Sequence, residues 1–261
     1  MRGEKMKVSL YSNIGKRRRT NQDYADSYQS LKGQSLLILC DGVGGHQGGD
    51  IASQMTTEFI GTRFANLDKV LELETSKQWM ATTIAAANEH VNMAAKQDET
   101  LVGMATTLVL ALILNKEQAT IAHLGDSRAY QYAESKMTQL TQDHSLVNEL
   151  INSGGLSVAE AENHPQKNVV TRSVGGGGMV DVTPDFTELH LNKVDMLMLC
   201  SDGLTNMVDD AKMNKLFNQY WQSNELGDQL IEAANQAGGN DNITIILASD
   251  FDNTTHSKEE H

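Results

Sequence analysis

Two apolar runs in this chain end in nearly the same way: Leu36-Leu37-Ile38-Leu39-Cys40-Asp41-Gly42 and Met196-Leu197-Met198-Leu199-Cys200-Ser201-Asp202-Gly203. Each reads as a buried β-strand that stops on an aspartate followed by a glycine. Two more acidic stops occur, Ile121-Ala122-His123-Leu124-Gly125-Asp126 and Gly239-Asn240-Asp241-Asn242, the latter leading into Ile243-Thr244-Ile245-Ile246. A carboxylate at the edge of a buried strand is costly unless something pairs with it. Four such carboxylates without a matching set of lysines point to a cation as the partner. Hard divalent ions, Mg²⁺ or Mn²⁺, take oxygen ligands of this kind.

The residues between these stops set the fold class. Strand patterns lie near 8–12, 36–40, 107–114, 120–124, 129–132, 180–187, 196–200 and 243–248. Helical patterns lie near 50–65, 76–96, 146–153, 209–217 and 226–236. Ile51, Met55, Phe59 and Phe64 are expected on one helical face, as are Ile84, Ala87 and Val91. The runs 107–114, 120–124 and 129–132 follow one another too closely for parallel crossovers, so they read as antiparallel hairpins. Antiparallel sheets flanked by helices define a layered α+β domain. A length of 261 residues suffices for one large core. The polar stretch 143–178, with Gly154-Gly155, Pro165 and Gly175–Gly178, reads as a mobile flap on a single domain spanning 1–250, followed by a polar tail at 251–261.

Composition removes several classes of function. With 39% hydrophobic and 21% charged residues the chain is globular, not disordered. No apolar stretch reaches the roughly 20 residues of a membrane span. The first nine residues carry no signal-peptide apolar core, and two cysteines give no disulfide framework, so the expected compartment is the reducing cytoplasm. A net charge of −13 argues against a nucleic-acid partner. The exception to this acidity is the basic run Lys16-Arg17-Arg18-Arg19.

The loop 41–49 packs five glycines into nine residues, which lets its backbone approach a ligand. It has no lysine followed by serine or threonine and no Gly-x-Gly-x-x-Gly, so nucleotide binding is a poor reading. Around it lies an ordered constellation. Arg18, Asn21 and Asp23 have the spacing Arg-x-x-Asn-x-Asp, followed by Asp41-Gly42-Val43-Gly44-Gly45, Gly103-Met104-Ala105-Thr106-Thr107 and Gly125-Asp126-Ser127-Arg128. Then come Leu140-Thr141-Gln142-Asp143-His144-Ser145, Thr171-Arg172-Ser173-Val174-Gly175, Ser201-Asp202-Gly203 and Gly239-Asn240-Asp241-Asn242. In this order and spacing, from about Tyr11 to Ala248, the chain resembles the metal-dependent protein phosphatases of type 2C in their compact bacterial form.

The resemblance implies a four-layer α-β-β-α sandwich of two antiparallel sheets, with a centre for two catalytic Mn²⁺ or Mg²⁺ ions at one edge. It also implies roles. Asp41 bridges the two ions with the Gly42 carbonyl beside it, and Asp202 and Asp241 complete the pair. Asp23 holds ion-bound waters, Asp126 helps bind a third, weaker ion with Asp202, and Arg18 grips the substrate phosphate. The chemistry is coherent without the family. Two divalent ions clamp a phosphoryl group and acidify a bridging water that attacks phosphorus in line with the leaving alcohol. An arginine fork binds two phosphate oxygens at once.

Other residues in these motifs have plainer readings. Cys40 and Cys200 read as small buried hydrophobes. His46 reads as a solvated loop residue, His123 as a hydrogen-bonded core residue, and Asp143 or His144 as caps of the helix that follows. Arg172 reads as fixing the base of the flap. Val43 stands where many relatives carry histidine and cannot donate a proton, so protonation of the leaving group falls to an ion-bound water, His46 or solvent. Gln22 replaces a glutamate and Ala105 a glycine. The resulting expectation is a free-standing, monomeric cytoplasmic phosphoserine/phosphothreonine phosphatase. Its partners would be phosphorylated proteins, substrates of a serine/threonine kinase, with no nucleic acid or membrane involved. The alternatives are a metal hydrolase of small phosphate esters and a non-catalytic phosphoprotein-binding module. A calcium-binding structural protein is disfavoured by the lack of an Asp-x-Asp-x-Asp-Gly loop.

Overall fold

In a computed structural model, described here for residues 6–43, 48–162, 164–178 and 181–251, the first acidic stop closes strand β3 (Ser35–Val43). Residues 36–40 of β3 are buried and its last three reach partly to solvent, as expected of a strand covered on both faces up to its end. Its side chains alternate. Leu36, Ile38 and Cys40 face a core shared with helices, whereas Leu37 and Leu39 face a second sheet.

β3 belongs to a seven-stranded sheet with the order β10 (Asp185–His190), β6 (Gln118–Leu124), β5 (Leu108–Ile113), β3, β4 (Ala105–Thr106) and β9 (Val174–Gly175). Strand β2 (Asp23–Gln29) also pairs with β3. The other sheet has five strands in the order β1 (Lys7–Asn13), β12 (Ile243–Ser249), β11 (Met196–Cys200), β7 (Arg128–Ala133) and β8 (Lys136–Gln139). Every paired strand is antiparallel to its neighbour.

Three apolar layers hold four layers of structure together. Helices α1 (Gly49–Ala65) and α2 (Leu73–Gln97) cover the larger sheet through Ile60, Phe64, Met80, Ile84 and Val91. Between the sheets, Leu37, Val109 and Ile121 meet Leu197, Leu199 and Ile246. On the far side, α6 (Asp210–Tyr220) and α7 (Leu226–Gln236) cover the smaller sheet through Met213, Phe217 and Leu230. The expected α-β-β-α sandwich is therefore the observed one. The stretch after β8 contains α3 (Leu146–Asn152) and α4 (Val158–Glu162), and α5 (Asp202–Thr205) is a single turn after β11.

Three expectations change. β6 and β7 are not a hairpin. Gly125–Ser127 carries the chain from one sheet to the other, and β7 pairs with β11 and β8. The buried stripe of α1 is Ala52, Thr56, Ile60 and Phe64, while Ile51 is exposed and Met55 and Phe59 are only partly covered. The buried positions beside this stripe, Ser53, Thr57 and Gly61, are small, and at Gly61 the helix lies tightly against β2: a Cβ there would come 2.1 Å from the Tyr28 ring. The strand expected at 180–187 begins at Asp185, and Val180 lies outside the described residues, as do His46 and the 252–261 part of the tail.

Candidate metal centre

The register of β2 on β3 sets Asp23 directly opposite Asp41. The Asp41 backbone is pinned from the next strands. Its N–H donates to Thr107 Oγ1 (3.1 Å), and its carbonyl accepts from Thr107 N–H and Thr106 Oγ1 (both 2.8 Å). Gly42 passes so close to the start of α1 that a Cβ would lie 2.5 Å from the Gly49 carbonyl carbon. A glycine therefore lets the end of β3 and the start of α1 approach this closely.

The second sheet supplies its carboxylates from the same edge. Asp202 opens the turn after β11, and its Oδ2 accepts from Asn206 Nδ2 at 2.9 Å. Asp241 lies two residues before β12, and its Oδ1 accepts from Asn242 N–H at 2.9 Å. Gly203 lets these turns nest, since its Cβ would collide with the Asn242 carbonyl oxygen at 1.9 Å. Ser201 bridges the sheets: its Oγ accepts from Thr244 N–H (2.9 Å) and donates to Asp23 Oδ2 (2.8 Å). Asn242 anchors the basic loop, accepting from Gln22 N–H (2.8 Å) and donating to the carbonyls of Ile14 and Thr20 (both 3.0 Å). Arg18 then reaches Asp241, with Nη2 2.6 Å from Oδ2.

Asp23, Asp41, Asp126, Asp202 and Asp241 thus form one electrostatic group. Desolvation pushes the Asp41 carboxyl well above the usual range, and the charges of Asp23, Asp202, Asp126 and Asp241 push it further. Burial, then Asp126 and Asp241, raise Asp202 to about 8. Asp126 rises to about 6 through burial and the nearby Asp143. Asp23 rises to about 6 through burial, reinforced by Asp241 against the hydrogen bond from Ser201. One oxygen of Asp23, Oδ1, is buried without a hydrogen-bond partner. Among the described residues Arg18 is the one cation paired with this group, and it engages Asp241 alone. Carboxylates that repel one another, an orphaned oxygen and an all-oxygen donor set fit a hard divalent cation.

Beside these carboxylates, a cavity of about 380 Å³ opens next to the 143–178 stretch, lined by Asp126, Asp202, Arg128, Asn148, Ile151 and Lys167. Arg128 grips Asp143 through two bonds (2.8 and 2.7 Å) and donates to Tyr130 Oη (3.0 Å). The sequence alone assigns Arg128 no role; the signal that marks it is a cation at the start of a mostly buried strand, two residues after Asp126. Ser145, not Asp143 or His144, caps α3, because both of those side chains are committed elsewhere. Arg172 does fix the base of this stretch, pairing with Asp185 (2.8 Å) and Asp181 (3.5 Å). Cys40 and Cys200 are fully buried, and burial pushes both thiols up to about 12, so they are inert. His123 is a buried residue bonded to the Gln142 carbonyl.

A layered sandwich with an acidic cluster across the edges of both sheets defines a metal-dependent phosphatase, and residues 15–236 match the family described as Protein phosphatase 2C. The chain belongs to the protein phosphatase 2C family and is an enzyme of that class. It is 41% identical over 247 residues to protein phosphatase PhpP of Streptococcus pneumoniae, covering 94% of this chain and 97% of that one. It is 38% identical over 242 residues to the serine/threonine phosphatase stp of Listeria innocua, covering 93% and 95%. Among solved structures, serine/threonine phosphatase Stp1 from Staphylococcus aureus superposes with a TM-score of 0.87 at 35% identity, covering 95% and 96%. The catalytic domain of the phosphatase PstP, in complex with two manganese ions, superposes with a TM-score of 0.77 at 28% identity, covering 94% and 97%.

Proposed function

We propose that this chain is a phosphoserine/phosphothreonine protein phosphatase whose Asp41, Gly42 carbonyl, Asp202 and Asp241 hold two Mn²⁺ or Mg²⁺ ions. Asp23 orients their waters, and Asp126 with Asp202 takes a third ion. The observation that carries this reading is the convergence of carboxylates from both sheets on one edge, with an oxygen of Asp23 left buried and unpaired. When bound, the ions would supply charge neutralisation of the phosphoryl group and would lower the pKa of a water so that it serves as the nucleophile.

The chain's own residues do the rest. Arg18 presents an exposed guanidinium at the rim, where a substrate phosphate meets it. The Ser201 and Asn242 hydrogen bonds hold the two sheet edges in register, so the ligands need no rearrangement during turnover. Val43 offers no proton, so the leaving alkoxide takes its proton from water or from His46, which lies outside the described residues. The cavity beside Asp126 and Asp202, under the proposed flap, is the space offered to the polypeptide flanking a phosphoresidue. The partners are phosphoproteins made by a serine/threonine kinase, met by a monomer in the cytoplasm. No helix among the described residues is long and apolar enough to cross a membrane.

Turnover of a chromogenic phosphate ester and of a phosphothreonine peptide should require added Mn²⁺, vanish on chelation and fall at least a hundredfold in Asp202→Asn. Full activity after exhaustive chelation would overturn the reading. Faster hydrolysis of sugar phosphates than of the phosphopeptide would make it a small-ester hydrolase.

A further inference from the structure

The turn that delivers Asp126 is held by residues that the proposed chemistry does not use. Gly125 has φ +100°, and a Cβ there would come 2.7 Å from Thr107 Cγ2. His144 braces it from the other side through two hydrogen bonds. Its N–H donates to the Gly125 carbonyl (2.9 Å), and its Nδ1 accepts from Gly125 N–H (3.2 Å). The second bond fixes the tautomer. A ring nitrogen that accepts an N–H carries no proton, so the proton of the neutral imidazole sits on Nε2. Nε2 lies 3.0 Å from Asp185 Oδ2 and donates to it. Asp185 is held in turn by Arg172 Nη1, which donates to Oδ1 at 2.8 Å. On its face His144 stacks against His123, with ring centroids 4.4 Å apart and planes 7° from parallel.

This cluster is not itself a cation site. His123, His144 and Asp185 bring one ligand atom each within 4.8 Å of one another. However, His144 Nδ1 is spent on Gly125, Nε2 carries a proton, and the Arg172 guanidinium lies 3.2 Å from Nε2. A fixed positive charge stands where an ion would have to sit.

We propose that His144 is a positioning residue for Asp126: held as the Nε2–H tautomer by Asp185, it fixes the Gly125 turn that aims the Asp126 carboxylate. The inference rests on the reading of Asp126 as an ion ligand. The arrangement resembles the carboxylate–histidine pairs that orient metal ligands, displaced by one backbone link. Losing such an outer partner typically costs 10–100-fold in metal affinity.

Two substitutions separate the halves of this relay. Asparagine places an acceptor near the position of Nδ1, and glutamine places an N–H donor near that of Nε2. His144→Asn therefore keeps the bond to Gly125 and loses Asp185, whereas His144→Gln does the reverse. Mn²⁺ binding to the full chain is measured without substrate, by calorimetry and by the paramagnetic resonance of free Mn²⁺, with Asp126→Asn as reference. Asp126→Asn should lose the weakest binding step. His144→Gln should weaken that step about tenfold and leave the tighter ions untouched. His144→Asn should stay within about threefold of the parent, although both His144 variants lower the melting temperature. Should His144→Gln not fold, Asp185→Ala at an exposed position serves instead, with an expected loss of at least about threefold in the same step. No lost ion in Asp126→Asn would remove the ligand reading. A lost ion there, with unchanged binding in His144→Gln or equal loss in the Asn and Gln variants, would overturn the positioning role; so would unchanged binding in Asp185→Ala.

Discussion

At the scale of single residues, the candidate centre separates two arginines that the sequence sets side by side. Arg18 reaches Asp241, whereas Arg17 is exposed with no ion pair to the described residues. Arg18→Ala should raise KM for a small phosphate ester about tenfold or more, because a hydrogen bond to a charged group is worth roughly 1.5–3 kcal/mol. Its kcat should fall less, the contact being shared by ground and transition states. Arg17→Ala should stay within about twofold, and equal effects would refute the assignment. The aspartates carry a second expectation. Asp23, Asp126 and Asp202 have folded-state values near 6, 6 and 8 against an ordinary 3.8, so the folded chain binds more protons than the unfolded one between these limits. Their contribution to stability is present at low pH and is lost as pH rises through those values. In chelator, Tm should therefore rise as pH is lowered from about 8 to about 5.5. In saturating Mn²⁺ this rise should disappear, because the ions bind the deprotonated carboxylates. Calorimetric scans across that range decide it.

At the scale of elements, the stretch carrying α3 and α4 is the one that composition marks as a flap, and the effect expected of it on substrate choice is separable from chemistry. Substituting Gln166 and Lys167 should change kcat/KM for a phosphopeptide several-fold more than for a small ester. Equal losses on both would put this segment in the catalytic machinery, and no loss on either would make it a spectator. How far the sequence reveals such elements depends on what makes them. β3, β11 and β12 are legible because continuous apolar runs have few other fates. β2, with sequence Asp-Tyr-Ala-Asp-Ser-Tyr-Gln, is not, since it is half-solvated and borrows its order from β3. The jump from β6 to β7 is invisible because a short polar link reads equally as a hairpin or a change of sheet. The five aspartates are legible because each stands at the end of an apolar run or inside a spaced motif. Their supports are not: Ser201 meets Asp23 across 178 positions, Gln22 meets Asn242 across 220 and His144 meets Asp185 across 41.

At the scale of the whole molecule, Asp23, Asp41 and Asp126 come from one sheet, and Asp202 and Asp241 from the ends of strands in the other. Ions held across that edge, as proposed, would tie the two halves of the sandwich together as well as serve catalysis. At a hundredfold excess of Mn²⁺ over Kd this linkage adds about 2.7 kcal/mol to stability. The position of β12 carries this further. The last strand in chain order, it lies between β1 and β11, and Asp241 stands two residues before it. A polypeptide still emerging from the ribosome and ending before β12 lacks an interior strand of one sheet and has nothing to hold Asp241 in place. The expected consequence is that the enzyme stays silent until residues 243–249 have left the exit tunnel. Stalled nascent chains ending before residue 243 should release no phosphate, and a chain of residues 1–261 tethered through a linker that clears the exit tunnel should be fully active.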